Sequence, residues 1–292
     1  MESEKAKDKM KQNALEFLEK FITTELPNKT VDDLKNYSFW EIEKIEEKKK
    51  IFGCEKSFPD GDCSKIVYAI DYLLYYDRLP EFKIPGYPTK SVYNYTGETI
   101  NTFNTLFAKN LKKREQIKKL FGTDWKKIQD ETQNENPFAE DFYHVYQRLG
   151  NFMLLPSRTL CDSQSINSYK GKIKSDYFDL FLQELKKLLP LNSKEDNSDI
   201  LLLLVKENDF YFTKTKTVRQ FLTDFYLNDY EDFNLMGEHY YHWYNNLFSD
   251  DSSRKSYKEF ALNYVAQATK LINKRSEKLV EVLKEKYPEL KK

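Results

Sequence analysis

Glycine is scarce in this sequence, 8 in 292 residues, where ordinary usage of about 7% would supply roughly 20. Proline is little commoner, at 9. Turn-rich sandwiches, propellers and glycine-looped nucleotide folds are hard to build from so little, whereas helices are not. The glycines stand at 53, 61, 86, 97, 122, 150, 171 and 237, never fewer than eight residues apart, so GxGxxG, GxSxG and GxxxxGK are excluded by inspection. Histidine is rarer still, at 3. With no HExxH and no Cys/His zinc spacing, a multi-histidine metal centre or a histidine-based triad lacks members. The cysteines, Cys54, Cys63 and Cys161, are odd in number and form no CxxC pair. Reduced thiols in a cytoplasm are the simplest reading.

An excess of either charge is missing too. The 47 Lys and Arg balance the 47 Asp and Glu, which disfavours a generally basic nucleic-acid binder. The longest aliphatic run, Ile200 to Val205, is six residues, far below the roughly 20 needed to cross a bilayer. The N-terminus, MESEKAKDKMKQ, has no apolar stretch of a secretory signal, so the expectation is a cytoplasmic protein without membrane contact. The N-x-S/T triplets at Asn28, Asn36 and Asn94 are then chance matches.

What is present is apolar and aromatic mass: 40% hydrophobic and 15% aromatic residues, enough for a sizeable core. Met10, Ala14, Phe17, Leu18, Phe21 and Ile22 predict a helix over 4–25, stopped by Leu26-Pro27. Thr30 and Ser38 suit N-caps, Ser38 forming a capping box with Glu41. A helix opened by Asp62 or Ser64 carries Ile66, Ile70, Leu73 and Leu74 on one face and Tyr68, Tyr72, Tyr75 and Tyr76 on another, which predicts burial on both.

Residues 80–97 read as a linker or surface loop, with helices resuming over 98–112 and 124–133. Asn136-Pro137 opens a helix that Gly150 ends as its C′ residue. The polar stretch 157–174 reads as an ordered loop over the core, capped into the next helix by Ser175 or Asp176; a mobile surface excursion is the equal alternative. A helix follows to Leu189, then a solvated turn over 192–199. The segment 199–212 starts as a buried helix and ends extended at Phe210-Tyr211-Phe212. The last helix, from Tyr257 through Leu283, stops at Tyr287-Pro288.

Three constellations carry chemistry. His239 and His242, one helical turn apart beside Glu238 and Asp232, could share a divalent metal, or could flank inward-packed Met236, Tyr240, Trp243 and Tyr244. Residues 223–251 hold seven acids and no Lys or Arg, interleaved with aromatics, while 109–127 is strongly basic. The acidic face could grip a partner with a basic surface through Tyr230, Tyr240, Tyr241 and Trp243, or the two faces could complement each other within the fold. Third, Gly150-Asn151 followed by an apolar piece, then Asn167, Lys170 and Lys172, resembles the corresponding segment of HNH-type nuclease domains. Those domains place a histidine on a preceding strand to activate water; here its only counterpart is His144, inside a predicted helix.

Further residues resemble a bacterial family of unknown function. They are Gly150-Asn151 with Pro156, Ser165-Ile166-Asn167, Lys170-Gly171, Asp176 to Leu180, Asp224 to Leu227, and Lys274-Arg275-Ser276. The similarity spans about 148–280, and Lys170 stands where the family usually has Arg. It implies a mostly helical intracellular protein and no particular activity.

The expected fold is mainly α, a compact multi-helix assembly with little or no β-structure. It is read as one domain over 1–292, with 1–79 and 98–292 as possible subdivisions. The leading functional reading is a non-catalytic interaction protein. The alternative is an HNH-like or other phosphate-handling protein centred on Arg148, Asn151, Asn167 and Lys170. No cofactor is implied, and nucleic acid is unsupported by net charge.

Overall fold

The computed structural model describes residues 2–53, 64–78, 95–100, 142, 144–156, 165–173, 177–189, 200–212, 217–232 and 251–291. In chain order the helices are α1 (Glu2–Glu25), α2 (Trp40–Lys44), α3 (Glu46–Ile51) and α4 (Lys65–Tyr75). Two short strands follow, β1 (Tyr95–Glu98) and β2 (Phe152–Leu155). Then come α5 (Ile166–Ile173), α6 (Phe178–Leu188), α7 (Ile200–Glu207), α8 (Asp209–Phe212), α9 (Val218–Asp224) and the long α10 (Asp251–Lys286). The protein is mainly α.

The apolar spacing of α1 does what it predicts. Ala14, Leu18, Phe21 and Ile22 are buried, and Met10 and Phe17 pack against the same core. Beyond Pro27 the chain turns through Lys29 at φ 57. The Asp33 carboxylate then gathers the backbone N–H groups of Asn28 (2.8 Å) and Thr30 (3.3 Å), opening a 3-10 turn over Val31–Lys35. Ser64 caps α4 by accepting from Val67 N at 3.2 Å. Every residue from Ile66 to Tyr75 is buried, as two-sided apolarity demands.

α10 crosses much of this core and is clasped at its far end. Lys284 Nζ lies 2.8 and 3.0 Å from the Asp32 carboxylate. Lys286 reaches Leu74 O (2.8 Å) and Asp77 (3.1 and 3.2 Å), and the Tyr287 hydroxyl donates to Leu73 O at 2.8 Å. Buried residues from Ala14 to Leu290 join one apolar cluster. No helix among the described residues is long and apolar enough to cross a membrane.

Several sequence expectations need correction. Ser38 does not cap with its side chain: α2 starts after Phe39, and Ser38 pairs its backbone with Arg148 while Phe39 N donates to Gln147 O at 2.9 Å. A long-range backbone bond here replaces the local one. Residues 95–98 are a strand, and Thr99 and Ile100 are not helical. Gly150 lies inside a 3-10 turn (Leu149–Asn151) and does not end a helix. The polar stretch 157–174 contains α5, begun by Ser165, whose Oγ accepts from Ser168 N at 3.1 Å. Tyr211 and Phe212 are helical in α8, where they stack against Phe225 and Phe221 at 4.9 and 6.1 Å between ring centroids. Aromatic packing suits either backbone at so short a run. The expectations for 80–94, 101–141, 157–164, 174–176 and 192–199, with Asp62 as a cap, lie outside the described residues.

Candidate functional site

β1 and β2 form an antiparallel ribbon, with Tyr95 opposite Leu155 and Glu98 opposite Phe152. The ladder runs one step past its strands, Thr99 N donating to Asn151 O at 2.8 Å. There the Asn151 side chain takes over. Its Oδ1 accepts from Ile100 N and Thr99 Oγ1, both at 2.8 Å, and its Nδ2 donates to Ile100 O and Tyr146 O, both at 2.7 Å. The amide thus reads both polar groups of Ile100 as a neighbouring strand would, and all four of its bonding positions are used.

The Thr99 hydroxyl has one proton, and Oδ1 can only accept it. Hence at the 3.1 Å contact with Tyr230 it is the Tyr230 hydroxyl that donates. Burial raises the Tyr230 phenol to about 12, against a lowering influence from Arg275.

Gly150 lets this turn touch α10. A Cβ built there would fall 2.0 Å from Ile272 O and 2.6 Å from Ser276 N and Oγ. No side chain fits, which is the physical reason for glycine at this place. The Gly150 N–H donates to Ser276 Oγ at 2.8 Å. Arg275, 2% exposed, answers from the same helix: Nη1 donates to Gly150 O (2.8 Å) and Phe152 O, and Nε donates to Phe225 O at 3.2 Å. One buried knot therefore ties together the turn, the ribbon, α10 and the end of α9.

Of the four residues expected to bind a ligand, Asn151 is at the centre of the knot and fully occupied by the chain itself. Arg148 is half-buried at its rim and donates from Nη1 to Asn273 Oδ1 at 2.7 Å. Lys170, 2% exposed on α5, is engaged inside the fold, and Asn167 on the same helix is half-buried. His144 sits in a helical turn, not on a strand.

Among the expected partner-binding residues, Tyr230 is fully buried in the knot and packs edge-on against Phe178 at 5.5 Å. It belongs to the core and not to an exposed face, because its hydroxyl finds its acceptor in Thr99. Tyr240, Tyr241 and Trp243 lie outside the described residues, as do His239 and His242 and the basic stretch 109–127. The described acids of 223–251 are partly matched within the fold. Asp229 meets Lys274 at 2.9 Å, and Asp224 faces Arg78 at 3.5 Å. Glu231 and Asp232 are exposed.

Three segments of the resemblance, Gly150-Asn151, Asp224 to Leu227 and Lys274 to Ser276, meet in this knot. A family model for a family of unknown function, DUF6994, matches residues 62–279. The chain belongs to the DUF6994 family. The match begins well before residue 148, so the family's unit takes in α4 and β1 as well as the knot. No curated protein and no solved structure matches the chain.

No motif marks Arg275, although the sequence carries a signal for it. It lies three residues after Ile272 and four before Leu279, both buried, so the apolar stripe of α10 is interrupted by a cation. An arginine on an inward face must be answered there.

Proposed function

We propose that this DUF6994 protein is a non-catalytic binding protein of the cytoplasm, built as one helical domain, whose acidic and aromatic segment 223–251 meets a partner with a basic surface. The observation that carries the non-catalytic part is the closure of the Asn151 amide. Its four hydrogen bonds all stay within the chain, and a group so bonded has nothing left to offer a phosphate or a metal-bound water. The binding part is supported by the exposure of Glu231 and Asp232 beside a turn that two lysines hold in place. Lys186 Nζ donates to Glu231 O at 2.9 Å, and Lys274 pairs with Asp229. A firmly held acidic turn loses little freedom on meeting a cationic surface.

The test uses the full chain and a fluorescent lysine-rich peptide, titrated by anisotropy at low and high salt. The expected result is salt-sensitive binding that weakens roughly tenfold in the Glu231→Lys/Asp232→Lys double variant. Binding that ignores both salt and the double variant overturns the partner assignment. Nicking of supercoiled plasmid in Mg²⁺ or Mn²⁺ overturns the non-catalytic one.

A further inference from the structure

Lys11, on α1, is held by aromatic rings instead of an acid. Its Nζ lies over the rings of Tyr76 and Tyr287, 5.9 and 5.4 Å from their centroids. Tyr76 follows α4 and Tyr287 follows α10, so three helices converge on one half-buried ammonium. Tyr72 stacks on Tyr76 at 5.4 Å, and its hydroxyl donates to Lys7 O at 3.3 Å. Tyr287 is buried and tied through its hydroxyl to Leu73 O. The rings are fixed, and the flexible lysine stem is the movable part of this cradle.

Other lysines near the core find carboxylates: Lys48 meets Glu25, Lys284 meets Asp32 and Lys286 meets Asp77. Among the described residues, no hydrogen bond or ion pair holds the Lys11 ammonium. A primary ammonium carries three N–H donors, which ring faces serve poorly. Ring faces are better matched by a cation clothed in methyl groups, as in aromatic cages. The spacing fits that form. A methyl carbon lies about 1.5 Å from its nitrogen, so a methyl aimed at each ring stops about 3.9 and 4.4 Å from the centroids, at or just beyond van der Waals contact. Charge agrees. Burial above all, with Asp8 contributing at Tyr72 and Asp77 at Tyr287, raises both phenols, so the rings stay neutral with acids nearby.

We propose that Lys11 is a methylation site, its Nζ taking two methyl groups, one for each ring, from a methyl-sulfonium donor used by a separate transferase. In each round the amine, having given a proton to solvent, uses its lone pair to form the N–CH3 bond. The S–CH3 bond breaks, the positive charge passes to nitrogen and the donor leaves as a thioether. The dimethylated nitrogen keeps its charge and one N–H, which faces water. The weak hold on the unmodified amine lets it swing out to be modified, since α1 is exposed at Lys7, Asp8, Lys9 and Gln12. Acylation does not match the cradle, because it removes the charge that the rings attract. Once methylated, the side chain fastens α1 to the ends of α4 and α10.

Peptide mass spectrometry of the full chain, purified from the cells that naturally make it, reads the modification directly. A dimethyl increment on Lys11 is expected, and an unmodified or acylated Lys11 overturns the proposal. Reductive methylation of the recombinant full chain with formaldehyde and a borane then reads the cradle by thermal unfolding. Many lysines react, so Lys11→Arg treated in the same way supplies the baseline. Over that baseline the natural sequence should gain about 2 °C in its midpoint on treatment. Tyr76→Leu, at a half-buried position, takes away one ring face and should remove most of the gain. No gain over Lys11→Arg, or a full gain in Tyr76→Leu, overturns the proposal. The comparison with Lys11→Arg stands whether or not Tyr76→Leu folds.

Discussion

Two buried regions meet near Phe152 and are held by opposite means. On one side an aromatic lattice joins α1 to the chain after it. Phe21 lies 5.0 Å from Phe52, 5.3 Å from Tyr37 and 6.1 Å from Phe39, and Phe39 passes the contact on to Phe152 at 5.7 Å. On the other side, Asn151, Thr99, Tyr230, Gly150 and Arg275 are joined by hydrogen bonds with little freedom of direction. Apolar contacts are individually weak and forgiving of a few tenths of an ångström. Buried polar bonds are worth little net when made and cost much when broken. The lattice should tolerate exchange, and the knot should not.

The largest effect that would test this contrast is Asn151→Ala. It leaves Ile100 N and O, Tyr146 O and the Thr99 hydroxyl without their partner, and is expected to cost about 4 kcal/mol. The check is the free energy of urea unfolding. A loss comparable to that of one truncated surface side chain would dissolve the distinction between the two regions.

Next comes Phe39→Leu in the lattice. Its ring is fully buried between Phe21, Tyr37 and Phe152, but leucine keeps most of the apolar contact. The expected cost is about 1.5 kcal/mol, with a native-like near-ultraviolet circular dichroism spectrum. A cost as large as that of Asn151→Ala would show that the lattice is as exacting as the knot.

The smallest effect belongs to the clasp of α10 on Asp32, a partly exposed pair outside both regions. Lys284 first, and then Lys35, hold the Asp32 carboxyl below its ordinary 3.8. The stabilisation is therefore full above that value and is lost as pH falls through the lower value of the folded state. Asp32→Asn should cost about 0.5 kcal/mol at neutral pH and nothing at the acid end, because solvent screens the pair. Urea midpoints of the two proteins that converge on acidification confirm the sign. A difference that grows toward acid pH reverses it.

Legibility in the sequence follows the same division. α1, α4 and α10 could be read because their apolar residues recur at helical spacing and their ends carry local stops: Pro27, the Ser64 cap and Pro288. The Gly150-Asn151 turn stands out by residue type, yet the helix-ending place that its sequence suggests for Gly150 is not the one it takes. A glycine after a helical pattern looks like a C′ residue, and an asparagine beside it looks available. Only the approach of Ile272 and Ser276, more than a hundred residues away, explains the missing Cβ. Ser38 is the converse case, a good local cap overridden by a long-range pairing with Arg148. Tyr230 sits in a run of acids and aromatics that suggests a surface anchor, but long-range contacts with Thr99 and Phe178 bury it.

By itself the sequence determined that this protein is mainly helical, where its longest helices run and which of their faces are apolar, because periodicity and capping are properties of neighbouring residues. Tertiary structure alone decided what the polar residues in that apolar setting are for. Asn151 closes a ribbon, Gly150 admits a helix and Arg275 gathers the carbonyls of Gly150, Phe152 and Phe225, since hydrogen-bond partners and steric neighbours are fixed by distance in space and not by distance along the chain.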